Sequence, residues 1–437
     1  MSPFRLLNGW GVALSVFLFL SVLQAGPAEA QPLFEERDGT PKEPPQFHFT
    51  PSLFVAELYD DNILLRSVRR ESDLITRVRP GLTMAVDQSR VRWLTDLNAE
   101  AEFYRDHPDL STYNRSQSLD TRLTIRPDPR WTFEFGDAFV HSRDPSGRLT
   151  LGTIGTVGTV GPGGTPPGAG AGGVVPGGGT GLPVDPGGEL ILQRTEYYRN
   201  ILSLRGAYRL TPRLTAEIEG ITRITQFKDD RLIDVSSDEL RGSLPYIWSP
   251  RETVTPQYQY RNFSFKHRGH TEVHTVSLKG ERRFTETFTG RAVGGLLMVV
   301  DRNTVRPDFL IGFGADQSYS ETIVFRADFT RDVAVVGGLA GTFATNVLSG
   351  SMTAHVTKAF DSIVAASWAY QQGLLGNQSD LDTLRFRLEE QVKLTNWLRL
   401  FLSYEYMKQN YHSAARDIYN NRIFAGLIVS ETFPPRP

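Results

Sequence analysis

Three histidines, His267, His270 and His274, lie close together and form the clearest group of side chains that could bind a metal ion. Imidazole nitrogens are common zinc ligands, and two of them on one face of a strand could share a metal. Histidines at the solvated rim of a protein are the commoner arrangement for such a group. The sequence therefore predicts no metal site and no cofactor.

The segment Asp60-Asp61-Asn62 contains the oxygen ligands that Ca²⁺ prefers, but the remaining ligands of a calcium loop do not follow it. It is interpreted as the solvated start of a loop. The sequence also lacks a Gly-x-Ser-x-Gly nucleophile motif and a His-Glu-x-x-His zinc motif. A Ser/His pair assembled across two strands, as in a membrane-embedded hydrolase, is left open. No catalytic residue is predicted, and the protein is not expected to be an enzyme.

Charged residues recur at every second position in several segments and form the third group that could act on a solute. On one face of five segments stand ten basic residues: Arg92, Arg122, Arg126, Arg199, Arg205, Arg209, Arg223, Arg385, Arg387 and Lys393. The same face carries seven acids: Asp96, Glu100, Glu102, Asp120, Glu217, Glu219 and Glu389. The small basic excess suggests weak anion selectivity, and guanidinium groups could bind an acidic sugar polymer. Alternatively, opposite charges pair across strands and stiffen the wall.

The elements that position these charges are β-strands, because the apolar residues recur with a period of two. Residues 91–104 show this most clearly, with Trp93 and Leu97 on one face and Arg92 and Glu100 on the other. Eighteen candidate strands follow this pattern, although sixteen remain an option. They start near residues 47, 74, 91, 117, 131, 195, 214, 237, 253, 271, 288, 307, 322, 347, 363, 381, 397 and 421.

The connections between the strands alternate between short and long. Tight turns such as Thr211-Pro212-Arg213 alternate with longer polar segments such as 60–73 and 105–116. Aromatic residues stand near the tight turns at Trp93, Trp131, Trp248, Phe284, Phe288, Phe360 and Trp397. A second set stands toward the long loops at Tyr59, Phe103, Phe139, Tyr197, Tyr198, Tyr260, Phe265, Tyr370 and Tyr406. Long strands, asymmetric loops and two aromatic girdles favour an all-β transmembrane antiparallel barrel over a soluble sandwich.

The amino terminus indicates export. Arg5 precedes an apolar run over residues 11–23, and Ala28-Glu29-Ala30 offers a cleavage site, so residues 1–30 are predicted to be a signal peptide cleaved near Ala30. The predicted location is the outer membrane of a Gram-negative bacterium. The net charge of −2 argues against a nucleic-acid partner, and the absence of cysteine excludes disulfides, thiolate metal sites and a lipoprotein anchor.

The remaining chain is divided as one barrel with flanking segments. Residues 31–46 are a flexible periplasmic lead-in, 47–433 the barrel and 434–437 a short tail. A long extracellular loop is predicted over 143–194. Its part 151–190 contains sixteen glycines and six prolines, which is typical of a flexible surface insertion. The alternative for this loop is a constriction that folds into the lumen.

The first two predicted strands resemble a known family. The matching segments are Phe49-Thr50-Pro51-Ser52-Leu53, Tyr59-Asp60-Asp61-Asn62-Ile63 and Ser72-Asp73-Leu74-Ile75-Thr76-Arg77-Val78-Arg79-Pro80-Gly81-Leu82. They are similar to the β-barrel porin family whose members include outer-membrane proteins associated with exopolysaccharide and PEP-CTERM gene clusters. The resemblance implies an outer-membrane barrel that helps to export a polysaccharide. It supplies no binding residues, and the Gly-rich insertion departs from the family pattern.

The sequence as a whole predicts a water-filled channel for passive passage of hydrophilic solutes. The alternatives are an exopolysaccharide conduit, a barrel-embedded lipid hydrolase and a surface anchor. Expected partners are outer-membrane lipid, small solutes or polysaccharide, and the barrel-assembly machinery. The residues predicted to line the pore are Arg92, Glu100, Arg122, Arg126, Arg199, Arg205, Glu217, Glu219, Arg223, Arg385, Arg387 and Glu389.

Overall fold

The computed structural model describes residues 46–88, 90–143, 195–301, 304–320, 322–335, 341–374, 380–412 and 416–433. The predicted signal peptide, the lead-in up to residue 45, nearly all of the loop 143–194 with its Gly-rich part 151–190, and the tail 434–437 lie outside these residues. A 3₁₀ turn, Pro108–Leu110, interrupts the first half of the chain. Within the described residues, no helix is long and apolar enough to cross a membrane.

The described chain is almost entirely β-strand. The strands are β1 (Gln46–Asp60), β2 (Asp73–Asp87), β3 (Val91–Tyr104), β4 (Thr112–Ile125), β5 (Trp131–Ser142), β6 (Tyr197–Arg209), β7 (Thr215–Phe227), β8 (Val235–Ser243), β9 (Tyr246–Ser249), β10 (Glu252–Phe265), β11 (Gly269–Arg283), β12 (Phe288–Asp301), β13 (Thr304–Ser318), β14 (Ile323–Val335), β15 (Thr342–Thr357), β16 (Phe360–Gly373), β17 (Leu381–Lys393), β18 (Leu398–Tyr411) and β19 (Arg416–Ser430). Except for β8 and β9, strands that follow each other in the chain pair antiparallel.

The sheet closes on itself, because β1 pairs with both β2 and β19. Leu53 of β1, for example, lies opposite Pro80 on one side and Val429 on the other. Of the nineteen strands, β8 and β9 both pair with β10 and lie end to end, so they share one position and the barrel has eighteen. The predicted antiparallel barrel of about eighteen strands is confirmed. Closure removes the free edges of β1 and β19. Pairing between β13 and β14 starts only at Ile311 opposite Arg331, so residues 304–310 of β13 have no partner on β14.

The break between β8 and β9 follows from two prolines. Pro245 has no backbone N–H, and Pro256 stands on β10 close to the break. The backbone N–H of Leu244 donates to the Pro256 carbonyl at 3.1 Å, and the Pro245 carbonyl accepts the N–H of Thr215 at 3.0 Å. The ladder of backbone hydrogen bonds therefore shifts its register between β8 and β9 but stays continuous there.

The two faces of the sheet are distinguished by a contact between strands that are too far apart in the sheet to meet except through the interior. Arg261 of β10 pairs with Asp332 of β14, with three strands between them. The strand registers place Phe54 of β1 on the same face as Arg261, and its ring lies 5.0 Å from that of Phe401 of β18. These residues therefore mark the inner face. The opposite face exposes large apolar side chains along most strands, among them Leu53, Leu204, Ile218, Leu296 and Phe313. An outward apolar belt of this kind is typical of a barrel that faces lipid.

The two ends of the barrel carry different connections, here named the short-turn end and the long-loop end. At the short-turn end, Ser, Thr or Asp side chains accept the backbone N–H of the residue two positions later in seven turns. These residues are Asp128, Thr211, Ser249, Thr285, Ser320, Thr357 and Thr395. At the long-loop end, the connections after β10 and β12 are also short, so the loop asymmetry is less strict than the sequence predicts.

Candidate functional site: the inner wall of the barrel

The strands place the predicted pore-lining residues on one face. The face that holds Arg261 and Phe54 also carries Arg92, Glu100, Arg122, Arg199, Arg205, Glu217, Glu219, Arg223, Arg385, Arg387 and Glu389, as the registers show. Arg126 is different, since it follows the last residue of β4 and is exposed in the turn. That these side chains act on a solute stays a prediction.

Ion pairs join the charges across β5 to β8. Arg205 of β6 donates to Glu134 of β5 at 3.0 Å and to Glu217 of β7 at 2.8 Å. Arg241 of β8 reaches Glu219 at 2.9 Å and the neighbouring carboxylate of its own strand, Glu239, at 2.6 Å. Such cross-strand pairing is the second interpretation that the sequence left open, and on this wall the geometry favours it.

A second charged group is buried at the inner face of β2 to β4. Arg77 donates through Nε to Glu102 Oε1 at 2.6 Å, and its Nε lies 3.9 Å from Glu100. Arg115 contacts Glu100 and reaches the other oxygen of Glu102 through Nε at 2.6 Å. Tyr104 adds a hydroxyl bond of 3.1 Å to Glu102. Sequence reasoning overlooked Arg77, although β2 alternates inward at Asp73, Ile75, Arg77 and Arg79.

The third charged group lies on β17 and β18. Arg387 contacts Glu389, which is almost completely buried and also accepts the side-chain amide of Gln391 at 2.6 Å. The Nε atom of Arg387 lies 3.9 Å from Glu405 of β18. The neighbouring Glu390 faces outward, and Ser362 donates to it at 2.9 Å. The outward carboxylate therefore has a polar partner within the sheet.

The inner wall also carries two apolar clusters at the long-loop end, which the sequence analysis missed. The first cluster comprises Phe54, Ala56, Leu58, Ile63, Ile75, Tyr104, Phe401 and Phe424. The second cluster comprises Phe263, Phe265, Val273, Leu297, Val299 and Val333. The placement of Tyr197 and Phe265 in an outward aromatic girdle is wrong, because both side chains are buried on the inner face. Positional counting along the strand could have assigned them correctly.

The first cluster includes part of the loop 61–72, here named the inward loop. Asp60 accepts the backbone N–H of Asn62 at 2.9 Å, the amide of Asn420 at 2.6 Å and Nε of Arg422 at 3.0 Å. Asp61 accepts both the backbone and the side-chain N–H of Asn421, at 2.7 and 2.6 Å. The interpretation of Asp60-Asp61-Asn62 as a solvated loop start is therefore wrong, since Asp60 and Asn62 are fully buried and hold the inward loop against β19.

The second cluster forms where the end of the β14–β15 hairpin lies against β10 to β12. Arg261 donates to both oxygens of Asp332, at 2.7 and 3.0 Å, and to the Val333 carbonyl at 2.8 Å. Thr342, Phe343, Ala344 and Thr345 at the start of β15 are all buried. Residues buried on both faces do not alternate in polarity, which explains why the sequence predicts this strand only from residue 347.

Between the charged walls lies an uncharged sector. The inner face of β15 presents Val347, Ser349, Ser351 and Thr353, and that of β16 presents Ile363, Ala365, Ser367 and Ala369. The charged residues of this sector stand at its short-turn end, where His355 Nδ1 lies 2.6 Å from Asp361. Small side chains keep this part of the wall close to the backbone and leave space in front of it.

A cavity of about 270 Å³ lies on the inner wall between β4, β5 and β6. Its lining includes Asp120, Arg122, Glu134 and Ser203. A Cβ atom at Gly136 on its floor would lie 2.6 Å from Ser203 Oγ, so a larger residue there requires the Ser203 hydroxyl to rotate away. Charged, polar and apolar side chains line the cavity, which could hold a few water molecules or part of a hydrophilic solute.

The three histidines do not converge on a metal site. His270 and His274 face outward on β11 beside Glu272, at 3.9 and 3.8 Å, and His274 Nδ1 lies 2.9 Å from the hydroxyl of Tyr258. His267 adopts a positive φ of 63° in the preceding turn. Within the part of the chain that the structure describes, no three side chains are arranged to hold a metal ion.

No protein-family model matches the sequence, and no curated protein is similar to it. The fold resembles Pseudomonas aeruginosa OccK5 (OpdH), with 12% identity, a TM-score of 0.43 and coverage of 88% of this chain and 98% of that one. It also resembles Acinetobacter baumannii OccAB4, with 9% identity, a TM-score of 0.44 and coverage of 91% of this chain and 100% of that one. Pseudomonas aeruginosa OccK2 (OpdF), solved in complex with glucuronate, has 9% identity to this chain and a TM-score of 0.45. The match covers 88% of this chain and 98% of that one. These values are too low to transfer a function, and the family resemblance of residues 49–82 stays a prediction.

Proposed function

We propose that the protein is an outer-membrane channel through which small hydrophilic solutes diffuse passively. The observation that carries this proposal is the contrast between the two faces of one closed sheet. Large apolar side chains are exposed outside, whereas Arg205, Glu217 and Arg241 inside are paired and still 17–34% exposed. Partly exposed charges are stable next to water, so the interior is best explained as an aqueous lumen.

The long-loop end supports passage of small solutes rather than of a polymer. The first cluster is centred on β1 and β19, and the second on β10 to β12. With eighteen strand positions, these groups lie across the lumen from each other. The inward loop and the β14–β15 hairpin therefore narrow the opening from two sides. An exopolysaccharide conduit is the second candidate.

The test is single-channel recording on the purified full chain in a planar lipid bilayer. Folding is verified first by the shift in electrophoretic mobility between unheated and heated samples. We expect discrete, long-lived current steps in KCl, with little rectification. A folded barrel that gives no current would contradict the channel.

The variant Asp332→Asn sharpens the test, because it weakens the ion pair that holds the hairpin against the wall. We expect larger or noisier current steps, by a factor of about 1.5 to 2, as the hairpin detaches at a cost on the order of 1–3 kcal/mol. Asp328→Asn is the matched control. Asp328 is an inner-face residue of the same strand, and it pairs with Arg291 at 3.2 Å, away from the inward-turned end of the hairpin. Equal currents in both variants would contradict the proposed narrowing.

Cleavage near Ala30, export and insertion by the barrel-assembly machinery complete this proposal. They agree with the apolar run 11–23 and with the lipid-compatible outer face. Amino-terminal sequencing of the protein recovered from outer membranes would test them, with Gln31 expected as the first residue. Loss of surface polysaccharide on deletion of the gene would favour the second candidate.

A further inference from the structure

One boundary of the barrel wall is only partly closed by backbone hydrogen bonds. Strand β13 pairs with β12 over residues 304–317, but it pairs with β14 only over residues 311–318. Beyond this pairing the β14–β15 hairpin turns into the lumen, where Asp332 binds Arg261 of β10. Residues 304–310 of β13 therefore form a sheet edge without a strand partner among the described residues, here named the open edge.

The open edge carries few of the donors that a missing strand partner would leave unsatisfied. The N–H of Ser318 donates to the residue before β12 at 2.8 Å, and backbone groups alternate in direction along a strand. The backbone groups of Val305, Pro307 and Phe309 therefore point to the open edge. Pro307 has no N–H, and the N–H of Phe309 donates to the side chain of Asp308 at 2.8 Å. Such an edge tolerates contact with hydrocarbon.

Two arginine side chains bridge the seam, which is the boundary between the open edge and the β14–β15 hairpin. Arg331, the last residue of β14 that pairs with β13, donates to both oxygens of Asp308 at 3.0 and 3.2 Å. Its guanidinium lies 4.5 Å from the centre of the Phe309 ring. Arg306 contacts the backbone carbonyl of Leu374, which follows β16. Because these bridges are made by side chains, the seam can open while every strand ladder stays intact.

Apolar side chains border the seam on both sides of the wall. On the outer face, Val305 and Phe309 are 59% and 48% exposed. On the lumen side, Leu310, Val335 and Leu374 pack against the second cluster. A hydrocarbon chain in the seam would therefore contact apolar surface in the membrane and behind the wall.

The depth of the seam in the membrane follows from the strand registers. Pro307 lies in one row with Met298, His274 and Tyr260 on β12, β11 and β10. Tyr260 belongs to the aromatic girdle predicted for the long-loop end, and such a girdle lies at the level of the lipid headgroups. Phe309 stands two residues further into the barrel, roughly 7 Å along the strand. The inner half of the seam therefore faces acyl chains.

We propose that the seam is a lateral opening through which a single-chain amphiphile passes between the lumen and the outer leaflet of the membrane. The proposal rests on the proposed channel function, because the lumen must deliver or receive the amphiphile. One strand is displaced from the wall, and neighbouring strands lie about 4.8 Å apart. A gap of that width admits one hydrocarbon chain but not two chains side by side.

The experiment is photolabelling of the folded full chain in phosphatidylcholine vesicles. The probe is a dodecyl glycoside with a diazirine on its chain, and its uncharged head group prevents ion pairing with the inner wall. We expect the probe to label the outer face and, in addition, Leu310 and Val333 on the lumen side of the seam. Labelling of the outer face alone would overturn the lateral opening.

The first cluster is the internal control for this labelling. Phe54 and Ile75 are apolar and face inward, but each has a strand partner on both sides. The probe should therefore leave them unlabelled. Equal labelling of both clusters would mean that the probe enters through the long-loop end, and the lateral opening would be overturned.

The chain contains no cysteine, so two introduced cysteines can tether the seam. In the double variant Asp308→Cys, Arg331→Cys, a short bis-maleimide should reduce labelling of the two lumen-side residues by at least about tenfold, because the tether removes the open state. The matched control is Ala315→Cys, Ala327→Cys, since these residues lie opposite each other in the paired part of the same strands. That second tether should leave the labelling unchanged. If both tethers act alike, the probe does not pass between β13 and the hairpin and the proposal fails.

Recording the current in KCl on the same preparation separates the two proposals. Current steps without labelling of the lumen-side residues would overturn the lateral opening and leave the channel intact. Labelling of these residues without current would overturn the channel and show a seam that opens to a closed interior. Arg306→Cys, Leu374→Cys provides the tether should the first double variant fail to fold, and the same loss of labelling is expected.

Discussion

The two ends of the barrel are built by different means. At the short-turn end, seven turns use one device, a Ser, Thr or Asp side chain that accepts the N–H two residues later. At the long-loop end, each described loop has its own contacts. The inward loop depends on Asp60 and Asn420, the β14–β15 hairpin on Arg261 and the loop 105–111 on Asp73.

The conformation of the short turns is therefore determined by local contacts, and that of the long loops by tertiary contacts. A turn of the first kind is complete within four or five residues, so its loss affects one hairpin. A loop of the second kind is held by residues that are distant in the sequence: 360 positions separate Asp60 from Asn420, 71 separate Arg261 from Asp332 and 34 separate Asp73 from His107. The long-loop end is therefore where single substitutions act most strongly and where solute selection can change without altering the barrel.

The largest decrease in the free energy of unfolding is expected for Asp60→Ala at the long-loop end. The substitution removes three hydrogen-bond acceptor contacts and leaves the buried Arg422 beside a cavity. Breaking a buried ion pair typically costs 3–5 kcal/mol, so we expect the free energy of unfolding to fall by roughly 3 kcal/mol. Urea unfolding in lipid vesicles, followed by tryptophan fluorescence, measures the change.

Glu57→Ala is the control for Asp60→Ala. Glu57 lies on the same strand but faces outward, is exposed and accepts one hydroxyl bond from Thr76 at 2.8 Å. Its loss should cost less than about 1 kcal/mol. If the two variants unfold at the same urea concentration, the inward loop is not held as the contacts indicate.

The same division explains how far the sequence could predict the molecule. Alternation places β5 at Trp131 and β12 at Phe288, where both strands begin, because strand pattern and turn chemistry are local. The sequence could not show that Asp60 is buried, since its partner Arg422 is 362 residues away. Nor could alternation reveal the open edge of β13, which depends on the ion pair between Arg261 and Asp332 that holds the β14–β15 hairpin inside.

A smaller effect is expected for Thr395→Ala at the short-turn end. Thr395 Oγ1 accepts the N–H groups of Trp397 at 3.3 Å and Leu398 at 3.0 Å. The backbone bond from Leu394 to Leu398, at 3.0 Å, remains, so we expect a loss of about 0.5–1 kcal/mol. The same urea experiment measures it, with Asn396→Ala as the neighbouring control.

A double variant tests whether the turns at the short-turn end contribute independently to stability. The double variant Thr211→Ala, Thr395→Ala should lose the sum of the two single effects to within about 0.5 kcal/mol, because the turns share no partner. A clearly larger loss would mean that the short-turn end is coupled, and the contrast between the two ends would no longer hold.

The smallest expected effect is a pH dependence confined to the loop 105–111. The pKa of His107 is raised by its hydrogen bond with Asp73, Nδ1 to Oδ2 at 2.9 Å, and by the charges of Glu71 and Asp109. A raised pKa means that protonated His107 stabilises the folded loop. This contribution is complete below the unfolded pKa of about 6.5 and is lost as the pH rises through the folded value.

Hydrogen exchange of the Asp106 and His107 amides should report this loss, since both amides donate to Asp73 at 3.0 Å. After correction for the intrinsic pH dependence of exchange, their protection should fall as the pH rises above about 6.5. His107→Gln should remove the pH dependence, whereas His412→Gln, in the last connection of the long-loop end, should leave it unchanged. A protection that instead rises with pH would require His107 to be held neutral, and the loop would then depend on Asp73 through its backbone contacts alone.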